Sequence, residues 1–407
     1  MRNSGYFKKV LLEIDSEVNA KSKYLDNVTL EGGKSGLVLY NLFCHQFYKD
    51  ESYRDQAEQQ IDESIEILSE ISTLKKFKPD FKTDSLSNHI AGFGKTLLFA
   101  QYKFDYDYDF TGLYESISEI LSDLTERSLE AGDFDINSGA FSAGYFFLNR
   151  YYHEKDESSK NVLLGIISAL EKCAVYPKEN EVYWSSPSLE NQVYLGLSHG
   201  SAMIINFITK LFELKVLDED NHNTLNLLEK AVTFVINQKR DLESGYFPSK
   251  YPDEGIKEAQ FTICYGDLGV LYSLYNASAI LKNDELRQET FELLIACTRR
   301  KEDIRYTFDG GITYGASGVA CVFKKLYEIT NDAHFKLAYE YWYDQILKYR
   351  TPEVKDFAGF RNRFERLQDD KVFNLTFGWG IMGIGICLMS ALKPELPGIS
   401  ELLIIGI

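Results

Sequence analysis

The chain has 407 residues, 44% hydrophobic and 26% charged, so it carries enough apolar side chain for a large buried core and is not a disordered segment. A formal charge of −17 and a pI near 4.9, with no Lys/Arg-rich stripe to offset them, exclude nucleic acid and anionic membrane surfaces as expected partners. Six cysteines without CxxC spacing, the lack of any run of about 18 apolar residues and a polar segment after Met1 point to reduced thiols, no membrane span and a cytoplasmic setting.

Along the chain one unit recurs: a glycine, two residues, a second small position, then an apolar run at helical spacing. It starts at Gly33, Gly92, Gly139, Gly200, Gly266, Gly315 and Gly380, at intervals of 47 to 66 residues. The second position is held by Gly36, Lys95, Ser142, Met203, Gly269, Gly318 and Gly383. Between these units lie amphipathic, charged stretches at 54–75, 112–130, 158–174, 222–240, 283–301 and 332–350, so each repeat reads as a pair of helices. Helix pairs in series build either an open solenoid or a closed ring, and periodicity does not choose between them. Glycines at helix starts favour a ring, whose inner helices crowd their N-termini near an axis.

Four of the turns before these glycines carry distinctive chemistry: Asp135-Ile136-Asn137-Ser138-Gly139, Gly196-Leu197-Ser198-His199-Gly200, Cys264-Tyr265-Gly266 and Thr313-Tyr314-Gly315. A carboxylate, an imidazole and a thiol meeting at helix N-termini make an acid/base and thiolate site, because helix dipoles favour anions there. Singly, each has a plainer reading, as a structural histidine or an inert buried cysteine. Trp184, Trp379 and the many Tyr and Phe residues suit either a peptide groove or ordinary packing. The run Asp105 to Phe110 suits recognition of a basic peptide or a solvated loop, and Cys44-His45 lies inside the first apolar helix and reads as core. Two acids, Asp135 and Asp267, are the pair that glycoside cleavage would need, although Asp267 reads equally well as a cap of the fifth apolar helix.

Through the seven glycine turns, nearly the whole chain resembles the lanthionine synthetase C-like cyclases. The resemblance implies an all-α fold, an α/α toroid of seven inner and about seven outer helices, with 1–407 as a single domain. It also implies a zinc ion that binds a substrate cysteine, whose thiolate adds to a dehydroalanine or dehydrobutyrine of the same ribosomal precursor peptide and closes a thioether ring. Carried over, Asp135 and His199 are the acid/base groups and Cys264 a zinc ligand. The partners implied are the precursor peptide and a lantibiotic dehydratase. The sixth turn departs from the pattern: Thr313 and Tyr314 stand where the family has Cys and His. A catalytic zinc normally takes three protein ligands, so the site is expected to hold zinc weakly or not at all, with His199, Asp135 and Cys321 as the remaining candidate donors. Two functions follow as expectations, thioether ring formation with an incomplete zinc site, or a zinc-free pseudo-cyclase that binds peptide or scaffolds a biosynthetic complex.

Overall fold

A computed structural model describes residues 4–71, 85–106, 108–253, 255–301, 303–365 and 371–406. Asp107 of the acidic run and residues 72–75 of the first amphipathic stretch lie outside the described residues. The described chain is all-α: α1 Ser4–Lys21, α2 Lys34–Tyr48, α3 Ser52–Ile71, α4 Leu86–Lys103, α5 Thr111–Glu130, α6 Ala140–Glu154, α7 Glu157–Cys173, α8 Ser201–Glu213, α9 His222–Ile236, α10 Asp267–Ile280, α11 Asp284–Cys297, α12 Ala316–Thr330, α13 Ala333–Gln345 and α14 Ile381–Leu392. Two short antiparallel ribbons, Val175–Lys178 with Glu181–Tyr183 and Val193–Tyr194 with Lys250–Tyr251, are the strands found. The apolar helices of the repeats (α2, α4, α6, α8, α10, α12, α14) are buried almost all round, while the charged helices bury one stripe.

Contacts divide the chain into two compact units, Met1–Gly112 with Glu302–Leu402, and Leu113–Lys301 with Leu403–Ile407. In the first unit α2 packs on α3 and α12 on α13, and α2 also lies against α4 and α14. The partner of α14 is α1, which buries Phe7, Val10, Leu11, Ile14 and Val18 at helical spacing. The N-terminal segment, which the repeat pattern left out, is therefore the outer helix of the last repeat. Truncating Ile14, wholly buried on this seam, to alanine should cost about 2–5 kcal/mol, read as a shift of the urea midpoint.

The first and seventh repeats also meet within this unit. Here Gly378 N donates to Glu31 O at 2.8 Å, and a Cβ on Gly36 would stand 2.7 Å from Phe377 Cβ. The seventh repeat thus packs directly on the first.

The same contacts correct the register of the second repeat. The residue three before the first glycine of one repeat seats on the glycine three after it in the next: Ile312 on Gly383, Phe377 on Gly36, Leu197 on Gly269. Leu30 seats in this way on Gly92. Gly92 is therefore the second position of its repeat, and His89 occupies the first, where its Nδ1 accepts from Val28 N at 3.2 Å. With no glycine to break it there, α4 runs one turn further back and is capped by Ser85, whose side chain accepts from Asn88 N.

In the second unit α6 packs on α7, α8 on α9 and α10 on α11, and α8 lies against α10. Phe141 and Phe207, ring centroids 4.5 Å apart, join α6 to α8. Asn206 Nδ2 and Tyr272 OH donate to the carbonyls of Ile404 and Ile405, tying the last described residues to this unit.

Candidate functional site

The turns before the apolar helices share a local construction that separates structural from chemical side chains. Six residues before the glycine, Asn27, Asp133 and Asp309 each accept from the backbone N–H two residues on, an Asx turn. Four residues before it, Thr29, Thr262 and Thr376 each accept, through a hydroxyl, the N–H of the residue just before the glycine. Asp135 holds this threonine position in the third turn. Its Oδ1 does the threonine's work, accepting from Ser138 N at 3.2 Å, and also accepts from Asn137 N at 2.9 Å.

A carboxylate has a second oxygen that a threonine lacks. Asp135 Oδ2 reaches the neighbouring fourth turn and meets His199 Nδ1 at 2.5 Å. Asp135 is wholly buried, whereas the His199 side chain keeps 15% of its surface exposed. Burial pushes the Asp135 carboxyl upward, but the His199 hydrogen bond and charge, with the two backbone donors, outweigh it and hold the group below its usual carboxylate range. An ionised Asp135 accepts from Nδ1–H, which fixes the tautomer and leaves Nε2 to accept a proton.

The depressed pKa has a consequence for stability. Asp135 contributes fully above its unfolded value, about 3.9, and that contribution disappears as pH falls through the lower folded value. Urea unfolding followed between neutral and strongly acidic pH should therefore show a smaller acid-dependent loss of stability in Asp135→Asn than in the parent protein.

Cys264 belongs to the same arrangement. Its carbonyl accepts from Leu197 N at 3.0 Å and Ser198 N at 3.3 Å, which locks the fifth turn to the one that carries His199. Only glycine fits at 196, because a Cβ there would stand 2.5 Å from that carbonyl. Gly266 closes the fifth turn with φ +89°, a conformation that disfavours other residues. Tyr265, present in the sequence reading only as part of its turn, places its ring 6.0 Å from that of His199 and 5.9 Å from Tyr194. Three of the predicted residues, Asp135, His199 and Cys264, thus stand on adjoining turns of one unit.

Asp267 does not join them, and it does not cap α10. Its Oδ1 accepts from Tyr246 N and Phe247 N, both at 2.9 Å, and its Oδ2 from Arg300 at 2.7 Å. Both oxygens are spent on holding the 244–247 segment, so the paired-carboxylate reading lacks its second acid. Cys321 is buried and faces Cys387, sulfur to sulfur at 3.9 Å. Of the pair Cys44-His45, Cys44 is core as expected but His45 is only half-buried, its Nδ1 3.1 Å from Asp50 O. Trp184 Nε1 donates to Leu170 O. Trp379 packs edge-on against Phe364 and Phe373.

In the sixth turn Thr313 donates from both N and Oγ1 to Gly378 O, each at 2.9 Å. Tyr314 packs against Phe308 and Phe364, with the Arg363 guanidinium 5.3 Å from its ring and 4.0 Å from that of Phe308. This turn supplies an aromatic and cationic surface where a zinc site would need sulfur and imidazole. Among the described residues no group of three or more His, Cys, Asp and Glu side chains is placed to hold a metal ion, so the donor set does not fit zinc bound in the usual way.

A family profile described as lanthionine synthetase C-like protein matches residues 24–404. The chain belongs to that family. Its fold is similar to that of a nisin cyclase, with a TM-score of 0.73 at 17% identity over 98% of this chain and 97% of the other. The α/α toroid that the resemblance implies is thereby the fold of this lanthionine synthetase C-like chain. A C. acetobutylicum glycoside hydrolase from family 105 aligns at a TM-score of 0.44 and 12% identity, covering 95% of this chain and 99% of that one, too distant to carry an argument. No curated protein sequence matches the chain. Among the described residues no helix is long and apolar enough to cross a membrane.

Proposed function

We propose that this lanthionine synthetase C-like protein closes thioether rings in a dehydrated precursor peptide with Asp135 and His199 as its acid/base pair and without zinc bound in the family's manner. What carries the reading is the second oxygen of Asp135. A threonine would accept the N–H just before the glycine, as it does at 29, 262 and 376, and the oxygen a threonine lacks is the one that grips His199. A protein that merely held peptide would have no use for an oriented, partly exposed imidazole on a buried acid.

The step balances in protons and electrons. His199 Nε2 takes the proton of a substrate cysteine thiol, and the sulfur forms a bond to the β carbon of a dehydroamino acid. The π electrons move toward the carbonyl as an enolate, and the imidazolium returns the proton to the α carbon. A thiol of pKa about 8.5 is only a few per cent ionised at neutral pH, so making thiolate costs about 2 kcal/mol, within the range of a positioned base worth about 10²–10⁴-fold.

The sixth turn supports a second reading, a pseudo-cyclase that binds the peptide, or a dehydratase holding it, without reacting. Incubation with the dehydrated peptide encoded beside the gene separates the two. Loss of free thiol faster than in buffer supports the enzyme, and bound but unchanged peptide supports the scaffold.

A further inference from the structure

Cys321 and Cys387 take no part in the acid/base chemistry, yet the fold of the first unit brings them together. Cys321 lies on α12, six residues after Gly315, and Cys387 on α14, seven after Gly380. The two helices pack on each other, and the free sulfurs face across the seam at 3.9 Å. The pair is buried but not sealed. A recess lined by both cysteines, Lys324, Lys325, Glu328 and Ser390 reaches it from the surface. Its rim is at exposed Glu328 and Gly398, where a Cβ on the glycine would stand 4.0 Å from Glu328 Oε1. The free space, about 20 Å³, holds one water-sized molecule and nothing larger.

A disulfide needs about 2.05 Å between its sulfurs, so the pair must close by about 1.9 Å, within reach of side-chain rotation on two helices already in contact. The hydrogen bond to Cys387, together with burial, holds the Cys321 thiol well above its usual range. Cys321 therefore keeps its proton and donates it toward Cys387, while Lys324 and Lys325 beside the recess favour negative charge on the accepting sulfur. A thiolate next to a second thiol that can resolve its oxidised form is the arrangement of a redox-responsive pair.

We propose that Cys321 and Cys387 are a peroxide-responsive dithiol, closed to a disulfide by hydrogen peroxide, which the recess admits, and shut to bulky oxidants such as glutathione disulfide. The Cys387 thiolate attacks one peroxide oxygen and the O–O bond breaks. The hydroxide released takes up the proton that the thiol gave, leaving water and a sulfenic acid on Cys387. The Cys321 sulfur then attacks the Cys387 sulfur, and its proton departs with the sulfenic hydroxyl as a second water. Two thiols lose two electrons in all and one peroxide gains them. The new bond braces α12 to α14 at a second point, beyond the bonds from Thr313 to Gly378 O that already join their turns. None of this depends on the ring-closing reading.

The test exposes full-length protein to hydrogen peroxide, alkylates it, digests it without reductant and maps the peptides by mass spectrometry. Most chains should carry the linked pair 321–387, lost on reduction with dithiothreitol. The oxidised protein should melt a few degrees above the reduced one. Glutathione disulfide should leave both cysteines free. Cys321→Ala should trap Cys387 as a sulfenic acid that dimedone labels, whereas Cys387→Ala should leave Cys321 unlabelled. The peptide map of the parent protein decides the pairing by itself, so a variant that fails to fold does not shield the proposal. Peroxide that oxidises the half-buried Cys173 of folded protein while 321 and 387 stay free thiols overturns it. Capture of either cysteine by glutathione disulfide overturns the small-oxidant selectivity.

Discussion

Replacing Asp135 by threonine should leave the protein folded and slow ring closure by about 10²–10⁴-fold, because it removes the oxygen that orients the base. Threonine already occupies this turn position at 29, 262 and 376, where its hydroxyl accepts the same backbone N–H. The turn therefore keeps its N–H to hydroxyl bond at Ser138, and the change removes the bond from Asn137 N to Oδ1 and the 2.5 Å contact of Oδ2 with His199 Nδ1. His199 would keep its place through Leu197 and Ser198, whose amides stay on the Cys264 carbonyl, but lose the acceptor that fixes its tautomer. One buried hydrogen bond costs about 1–3 kcal/mol in stability, small enough for a cooperative melt to persist. His199→Ala should slow the reaction at least as far, and the double variant no further than the worse single, since the pair acts as one unit. The measurement is thiol alkylation of the dehydrated peptide followed by mass spectrometry. Asp135→Thr with parental activity would show that the carboxylate serves the loop alone.

How much of this was visible in the chain depends on what kind of constraint each residue answers. The repeats were legible because an apolar helix must be apolar on nearly every side and a tight turn needs glycine, and both leave marks in one dimension. Placement of Gly92 was misread by three residues because two glycine positions serve different needs, breaking a helix and admitting a neighbour's side chain. Spacing alone cannot tell Gly92, which admits Leu30, from Gly33, which starts α2. The pairing of α1 with α14 was invisible because it joins opposite ends of the sequence, although its stripe Phe7, Val10, Leu11, Ile14, Val18 was there to be read as a helix. Asp135 stands out in the sequence as an acid in a glycine turn, and its acid/base role comes from the resemblance. The stronger signal, an acid where other turns put threonine, emerges only when the turns are superposed on their hydrogen bonds. Asp267 looked like a helix cap, and nothing in sequence could foresee that Arg300 and the 246–247 amides take both of its oxygens.

Substituting Thr313→Cys and Tyr314→His together should convert the protein into one that retains about one zinc ion per chain after dialysis, against little or none for the parent. In the family pattern, to which Cys264 of the fifth turn already conforms, the two altered residues complete a ligand set of two thiolates and an imidazole, with the fourth position left for substrate or water. The local cost is modest. Thr313 gives up the hydrogen bond from Oγ1 to Gly378 O, about 1 kcal/mol, while its backbone N–H keeps the same acceptor and holds the turn in place. Tyr314 gives up its packing on Phe308 and Phe364 and the Arg363 guanidinium 5.3 Å from its ring. That cation is the larger obstacle, because a nearby positive charge disfavours a metal cation, so adding Arg363→Gln should tighten retention further. Elemental analysis by mass spectrometry reads the result, and Cys264→Ala on the same background is the decisive control, since it removes one of three ligands and should release the metal. Zinc retained regardless of Cys264, or none retained by a folded double variant, would overturn the prediction.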